Sequence, residues 1–143
     1  MAFLLDINVL IALMDPAHIL HERAHRWFSA TGRRAWASCP ITENGVLRIV
    51  GHARYPNSPG SPAAVAPLLA ELLALRGHEF WPDDVSLLDR RWVRGESLLR
   101  SAQVTDSYLL ALARAHGGAL ASFDAHIAAD GVAGGATALH PIP

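Results

Sequence analysis

Four acidic side chains are placed along the chain so that they could bind a divalent metal ion and support hydrolysis. They are Asp6, Glu43, Asp106 and Asp124. Carboxylates that lie close together raise one another's pKa values and oppose folding, and a hard cation bound by oxygen ligands removes that conflict. These residues therefore predict a site for a divalent metal ion.

Two of the acids follow predicted β-strands. The apolar segment Phe3–Leu5 is typical of a short buried strand, and it ends at Asp6. Residues 119–121 predict another strand, and Asp124 follows it closely. In an open α/β sheet, ligands bind outside the carboxyl ends of the strands. We therefore expect both carboxylates at that edge of the sheet.

The other two acids lie near the N-terminal ends of predicted helices. Pro40 opens a helix after a strand predicted at residues 35–37, and Glu43 lies in the first turns of that helix. Asp106 begins the helix predicted for residues 103–116. The helix that begins at Pro40 follows the carboxyl end of its strand, and the helix at residues 103–116 runs back to the start of the next strand. The N-terminal ends of both helices, with Glu43 and Asp106, should therefore lie at the same edge of the sheet as Asp6 and Asp124.

Alternating strands and helices predict the fold class. Further strands are expected at residues 78–81 and 136–139, and further helices at residues 7–14, 18–29, 62–76 and 86–92, with a short helix after Asp124. Pro67 lies inside the helix at 62–76, which Gly77 ends and which therefore either kinks or begins late. The pattern indicates a parallel sheet of about five strands with helices on both faces. A chain of 143 residues predicts one domain over residues 1–143.

Composition excludes several classes of protein. Apolar residues make up 51% of the chain, which excludes a disordered protein. No apolar run reaches the length of a membrane span, so we expect no membrane partner. The single cysteine, Cys39, cannot form an internal disulfide, and the N-terminus lacks a basic leader pattern. Both features favour a cytoplasmic location.

Each acid taken alone has an ordinary structural explanation. Asp6 and Asp124 could cap helices, and Asp106 could interact with a helix dipole. Glu43 fits capping less well, because with Pro40 as the first helical residue it stands one position beyond the acid of a capping box. Four acids converging on one sheet edge are not explained by capping. Their joint placement favours a metal site.

Four segments of the chain carry a resemblance to a known family. They read Leu-Leu-Asp-Ile-Asn-Val-Leu at residues 4–10, Pro-Ile-Thr-Glu-Asn at 40–44, Val-Thr-Asp-Ser-Tyr-Leu at 104–109 and Ser-Phe-Asp at 122–124. In this order and spacing they resemble the PIN-domain ribonucleases, and within them the VapC-type toxins of bacterial toxin–antitoxin pairs. The resemblance runs through nearly the whole chain. It implies a PIN-like three-layer α/β/α sandwich with a central parallel sheet.

The resemblance also implies a function and a set of site residues. It implies a metal-dependent endoribonuclease in which the same four acids form the catalytic quartet that binds Mg²⁺ or Mn²⁺. Asn8 and Ser122 match polar positions that support the acids, and Arg48 is similar to an arginine that could meet the phosphate of RNA. A cognate antitoxin protein that blocks the acidic site, and a toxin homodimer, are the implied partners besides the RNA substrate.

A competing motif is present in the segment His21-Glu22-Arg23-Ala24-His25, which matches H-E-x-x-H. In zinc proteases the two histidines of this motif bind zinc and the glutamate activates water. Here Arg23 would place a positive charge beside the metal, and a zinc site would leave three of the acids unexplained. We interpret the segment as a partly solvated helix face.

Other functions are also compatible with parts of the pattern. The sequence around Asp6 and Asn8 is similar to haloacid-dehalogenase-type phosphatases, although those have a second acid where Asn8 stands and use a lysine that this chain lacks. A non-catalytic PIN-like module for binding RNA or protein is another alternative, but four converging acids bring it no advantage. A metal-free ribonuclease would need histidines, of which His116 and His126 are expected nearest the acids, both solvated.

Overall fold

A five-stranded parallel sheet forms the centre of the fold. The computed structural model describes residues 1–143, and its strands are β1 (Phe3–Leu5), β2 (Trp36–Ser38), β3 (His78–Phe80), β4 (Ala119–Ser122) and β5 (Leu139–Pro141). Their order across the sheet is β3-β2-β1-β4-β5, and all neighbouring pairs are parallel. The first strand is therefore central, and the chain proceeds outward on both sides of it. Open α/β sheets bind ligands at such a switch point.

Six α-helices cover the two faces of the sheet. They are α1 (Ile7–Met14), α2 (His21–Ala30), α3 (Pro40–Val50), α4 (Pro62–Leu73), α5 (Val104–Ala115) and α6 (Gly135–Ala138). Apolar residues of α1–α4 pack on one face, and those of α5 and α6 pack on the other. The predicted three-layer α/β/α sandwich around a five-stranded parallel sheet is confirmed. None of the helices has both the length and the apolar character needed to cross a lipid bilayer.

Strand β1 is buried on both faces, which explains its wholly apolar sequence. Phe3 and Leu5 contact the layer formed by α1–α4, whereas Leu4 contacts the layer formed by α5. Leu4 is aligned with Ala37 of β2 and Leu120 of β4. A strand with neighbours on both sides and helices on both faces has no solvent side. The chain leaves this apolar environment at Asp6.

Helix α4 begins early and continues through its internal proline. The Ser61 hydroxyl accepts a hydrogen bond from the Ala64 N–H at 3.2 Å, and Pro62 is the first helical residue. Pro67 lies inside the helix, so the alternative of a late start is wrong. Its side chain is exposed and collides with no core residue. The cost of Pro67 is the hydrogen bond that its missing N–H cannot make to the Ala63 carbonyl.

The helix predicted for residues 86–92 is absent, and this prediction is wrong. The segment forms turns in which the Ser86 hydroxyl accepts from the Leu88 N–H, and the Asp89 carboxylate accepts from the Arg91 N–H, both at 3.0 Å. Short polar side chains compete in this way with helical hydrogen bonds. Leu88 is 89% exposed, whereas Leu87 and Trp92 are partly buried against the core, and these few apolar contacts do not make the segment helical.

Helix α2 begins at His21 and not at residue 18. The Asp15 carboxylate accepts a hydrogen bond from the Ala17 N–H at 2.9 Å, and His18 accepts one from the Leu20 N–H at 3.0 Å. These side chains hold residues 15–20 in turns. The predicted helix was too long at its N-terminal end for that reason.

The C-terminal region also differs from the prediction. No helix follows Asp124, whose carboxylate accepts from the His126 N–H at 2.8 Å and closes a single turn. The last strand begins at Leu139, because residues 135–138 form α6 after Gly134 in the left-handed region at φ +67°. Alanine-rich segments are good helix formers, which the strand prediction underestimated.

Candidate active site

Asp6 lies at the carboxyl end of the central strand and also begins helix α1. One of its carboxylate oxygens accepts from the Ile7 N–H at 2.7 Å, so the side chain caps the helix. The other oxygen accepts from the Ser122 hydroxyl at 2.7 Å. Asp6 is only 8% exposed. The structure thus places a buried carboxylate at the switch point of the sheet, held by two donors.

Ser122 connects three elements of the site through one hydroxyl group. It donates to Asp6 and accepts from the Asn8 side-chain amide at 3.2 Å and from the Asp124 N–H at 3.0 Å. The Asn8 carbonyl oxygen in turn accepts from the Phe123 N–H at 3.3 Å. All hydrogen-bonding capacity of the Ser122 hydroxyl is therefore used. Asn8 and Ser122 hold the loop after β4 against the start of α1.

Asp106 and Asp124 lie at the same edge as Asp6 and are closer to solvent. Asp106 is half-buried in the first turn of α5, and Asp124 is exposed just after β4. Burial raises the pKa of Asp106, and the charges of Asp6 and Asp124 raise it further. The three carboxylates thus lie near enough for their charges to act on one another.

The charge of Asp6 is disfavoured for a similar reason. Burial is the main cause that raises the pKa of Asp6, and the charge of Asp124 adds to it. The hydrogen bonds from Ser122 and from the Ile7 N–H act in the opposite direction without cancelling the effect of burial. Asp6 and Asp106 thus both lie where a negative charge is unfavourable without a cation.

Glu43 lies in the first turn of helix α3 and has different partners. The helix lies close to α1 because Gly45 packs on Ile7, where an added Cβ would collide with the Ile7 side chain. A Glu43 carboxylate oxygen accepts from the Ser38 hydroxyl at 2.6 Å. Cys39 is the N-cap residue of α3, so Glu43 does not cap the helix. Its charge is not among those that raise the pKa values of Asp6 and Asp106.

Sequence patterns did not single out Ser38 and His78, which a chain of hydrogen-bond contacts links to Glu43. The Ser38 hydroxyl lies 2.8 Å from Nε2 of His78, which belongs to edge strand β3. One local signal for Ser38 was available, because it ends β2 as Ser122 ends β4. Both strands that flank β1 thus end in a fully buried serine whose hydroxyl donates to an acid, Glu43 or Asp6.

The ligand chemistry of the site fits a hard divalent cation. The acids offer only oxygen ligands, as Mg²⁺ and Mn²⁺ prefer. No three acidic, histidine or cysteine side chains lie close enough together to share one metal ion in the arrangement that the structure shows. The electrostatic conflict at Asp6 and Asp106 is nevertheless the one that such a cation would remove. Coordination by three or more of the acids requires their side chains to rotate.

The two histidines of the H-E-x-x-H segment are used structurally. His21 Nδ1 lies 2.7 Å from the Ala12 carbonyl, and His25 Nε2 lies 2.8 Å from the Leu13 carbonyl. Both carbonyls belong to the last turn of α1, where helical donors are lacking. Each contact uses one ring nitrogen and leaves the other without a hydrogen bond. The segment thus serves as a cap for α1.

Arg23, which lies between those histidines, forms hydrogen bonds to the last two residues of the chain. Its guanidinium donates to the carbonyl oxygens of Pro143 at 3.1 Å and Ile142 at 3.2 Å. It also lies over the ring of Phe123, 5.3 Å from the ring centroid. Helix α2, the end of β5 and the loop that carries Asp124 are joined by this one side chain.

The remaining candidates lie outside the acidic edge. Arg48 is exposed on α3, one turn beyond Asn44, and makes no ion pair. His116 stacks on Trp81 and contacts Asp84 at 3.0 Å, at the opposite end of α5 from the acids. The expectation that His116 is solvated and near the acids is therefore wrong.

Comparisons with known proteins agree with the fold. The family model of the PIN domain matches residues 3–130. Ribonuclease VapC44 of Mycobacterium tuberculosis (strain ATCC 25618 / H37Rv) is 49% identical over 134 residues, which make up 94% of each protein. Ribonuclease VapC39 of the same strain is 42% identical over 134 residues, 94% of this chain and 96% of that protein.

Two solved structures share the fold at lower sequence identity. The crystal structure of Mycobacterium tuberculosis VapC20, a Sarcin-Ricin loop cleaving toxin, matches with a TM-score of 0.65 and 18% identity, over 92% of this chain and 97% of that one. The structure of FitAB bound to the IR36 DNA fragment matches with a TM-score of 0.51 and 21% identity, over 87% of both chains. At these identities the likeness concerns the fold alone.

Proposed function

Because this chain belongs to the PIN-domain family, as a VapC-type toxin endoribonuclease, we propose that its converging carboxylates bind Mg²⁺ or Mn²⁺ for the hydrolysis of RNA. A bound ion of this kind would lower the pKa of a water ligand and offset the negative charge of the scissile phosphate. The observation that carries the proposal is the pair of raised pKa values at Asp6 and Asp106 beside Asp124. Such a cluster is costly unless a cation binds there.

Each residue has a separate part in this proposal. Asp6, Asp106 and Asp124 supply carboxylate ligands from the shared edge, and Glu43 supplies a fourth from α3. Ser122 orients Asp6 through its hydrogen bond, and Asn8 holds Ser122 in place. None of these side chains acts as a covalent nucleophile.

Arg48 has the least direct support of the proposed site residues. It is the one arginine of α3, is exposed, and lies beside an open groove between α3 and the loop before α4. A free guanidinium there can pair with a phosphate of the RNA strand in a bidentate manner. We assign it to substrate binding and not to the chemical step.

The alternatives do not account for the geometry. A haloacid-dehalogenase-type phosphatase places a second acid where this chain has Asn8, and Asn8 donates here to Ser122. A non-catalytic binding module gives no reason to bury Asp6 beside two further acids. Both explanations leave the unfavourable charge at the sheet edge without a function.

Cleavage of RNA by the purified protein, with Mg²⁺, with Mn²⁺ and with chelator, tests the proposal. We expect cleavage only with metal, and its loss in Asp6→Asn and Asp106→Asn proteins that remain folded by circular dichroism. Products should carry a 5′-phosphate and a 3′-hydroxyl, because a water and not the ribose 2′-hydroxyl is the nucleophile. Cleavage that persists in chelator and leaves a 2′,3′-cyclic phosphate would mean that the four acids are not the catalyst.

We further propose that a cognate antitoxin covers the acidic edge and that the toxin forms a homodimer in the cytoplasm. Exposed apolar side chains near the N-terminus of α5, Leu99 at 81% and Val104 at 43%, offer contacts for a protein partner. The free thiol of Cys39 is compatible with a reducing compartment. Light scattering of the purified toxin, alone and with the co-expressed antitoxin, measures both associations.

A further inference from the structure

We propose that His78 and Ser38 are positioning residues, which orient Glu43 for metal binding through a chain of hydrogen bonds from β3 across β2 to α3. The inference rests on the proposed function, because Glu43 is taken there as a metal ligand. Neither Ser38 nor His78 belongs to the acidic quartet or to the residues that support Asp6. They would extend the functional site to the edge strand of the sheet.

The direction of the hydrogen bonds follows from the chemistry of the three groups. An ionised carboxylate has no proton, so the contact of 2.6 Å between Ser38 and Glu43 uses the single hydroxyl proton of Ser38. The Ser38 oxygen can then only accept at its second contact, 2.8 Å from Nε2 of His78. His78 must therefore carry a proton on Nε2. The chain of donors runs from His78 through Ser38 to Glu43.

Tertiary packing holds both donors in fixed positions. Ser38 is fully buried at the end of β2, and Trp36, on the same face of that strand, is also fully buried. The strand register aligns His78 with Trp36, and their rings lie 4.7 Å apart between centroids. His78 thereby packs with its ring tilted by 56° against a core side chain, and its Nε2 lies 2.8 Å from the Ser38 hydroxyl. A donor fixed by a sheet loses little freedom when the acid binds a metal ion.

The consequence concerns the free carboxylate oxygen of Glu43. Ser38 donates to Oε2, so Oε1 is the carboxylate oxygen with both lone pairs left for a cation, although Oε2 also keeps one. A glutamate side chain has several rotatable bonds, and fixing one oxygen limits the orientations of the other. The arrangement repeats at Asp6, where Ser122 occupies one oxygen and is itself held by Asn8. His78 thus holds the Ser38 hydroxyl in place by a hydrogen bond, as Asn8 holds the Ser122 hydroxyl.

Titration with Mn²⁺, followed by the electron paramagnetic resonance signal of the free ion, measures this effect without reference to catalysis. The variants are Ser38→Ala, His78→Leu and His78→Gln, each compared with wild type. The control His116→Leu makes the same substitution at a histidine about 15 Å from Asp106, estimated from ten residues of helical rise. Asp6→Asn reports on the acidic site itself. Thermal unfolding without metal is measured for every variant.

We expect Ser38→Ala and His78→Leu to weaken Mn²⁺ binding about tenfold, as is usual for residues that orient a metal ligand. His78→Gln should bind Mn²⁺ much like wild type, because its amide N–H can take the place of Nε2–H. His116→Leu should leave the dissociation constant unchanged.

Three results would overturn the inference. The first is that Ser38→Ala and His78→Leu both bind Mn²⁺ as tightly as wild type while Asp6→Asn binds it weakly. This pattern would indicate a purely structural role for Ser38 and His78, even if their unfolding temperatures fall. The second is equal weakening in His78→Gln and His78→Leu, which would exclude the hydrogen bond as the cause. The third is a wild-type protein that binds no Mn²⁺, which would overturn the proposed function as well.

Discussion

Asp106 shows most directly how a charged acid in this site lowers the stability of the folded protein. Its pKa is raised from the ordinary value of 3.8 by burial and then by the charges of Asp6 and Asp124. The folded protein therefore binds a proton at Asp106 more readily than the unfolded chain does. With a raised acid pKa, the free energy of unfolding decreases as the pH rises from the unfolded pKa through the folded one.

We predict from this that Asp106→Asn stabilises the metal-free protein in a pH-dependent manner. In chelator, the unfolding temperatures of mutant and wild type should nearly coincide below pH 3.8 and separate, in favour of the mutant, as the pH rises to 7. Asp130→Asn, which changes an exposed acid without side-chain hydrogen bonds, is the control. A difference that stays constant across this range would contradict the assignment of Asp106 to a charged cluster.

Helix α1 carries Asp6 at its N-terminus and depends on α2 at its C-terminus. His21 and His25 donate to the carbonyl groups of its last turn, as described above. The segment that looks like a zinc motif therefore supports the element that holds an active-site acid. The i,i+4 spacing places both histidines on one side of α2, whether they bind a metal or cap a neighbouring helix.

We predict that His21→Ala and His25→Ala each lower the free energy of unfolding by about 0.5–1.5 kcal/mol, the net value of a hydrogen bond. RNA cleavage should remain, and metal analysis should find no stoichiometric zinc. Glu22→Ala, which changes the exposed residue between them, serves as the control. One tightly bound zinc per chain that both histidine mutants lose would support a zinc site instead.

Helix α4 offers a matched test of proline position. Pro62 stands at the first helical position, where no hydrogen bond is lost, and Pro67 stands in the interior. We expect Pro67→Ala to stabilise the protein by up to about 3 kcal/mol, because its side chain is exposed and the alanine N–H can bond to the Ala63 carbonyl. Chemical denaturation of both single mutants measures the effect. An equal response of Pro62→Ala would mean that helix geometry is not the cause.

At the scale of the whole molecule, the parallel topology brings acids from distant parts of the chain to one edge. Asp6 and Asp124 are joined through Ser122, although more than a hundred residues separate them in sequence. The charge repulsion between them is present in the folded state and is relieved when the chain unfolds. The metal-free site therefore opposes folding, and a cation that binds only the folded protein should stabilise it.

We predict that Mg²⁺ or Mn²⁺ raises the unfolding temperature of the wild type and barely changes that of Asp6→Asn. At a hundredfold excess over the dissociation constant, binding to the folded state contributes about 2.7 kcal/mol. Differential scanning calorimetry with and without metal measures the shift. Equal shifts in the two proteins would place the metal away from Asp6.

The sequence by itself determined the layer architecture and predicted the sheet edge at which Asp6, Asp106 and Asp124 lie. Local features were sufficient, because an apolar strand followed by a helix shows in the pattern of neighbouring residues, and parallel strands end at one edge. The resemblance of four short segments then indicated the family, which the comparisons confirm. The same local reasoning was wrong for residues 86–92, where polar side chains formed turns in place of a helix.

Only the tertiary structure decided which partners surround each acid. Ser38 and His78 are 40 residues apart, and they meet because β3 pairs with β2 in a particular register. The roles of His21 and His25 likewise depend on how α2 packs against the last turn of α1. The hydrophobic periodicity of a sequence shows on which face of its helix or strand a side chain lies. It does not show which other helix or strand packs against that face. The hydrogen bonds that orient the acids are set by that packing.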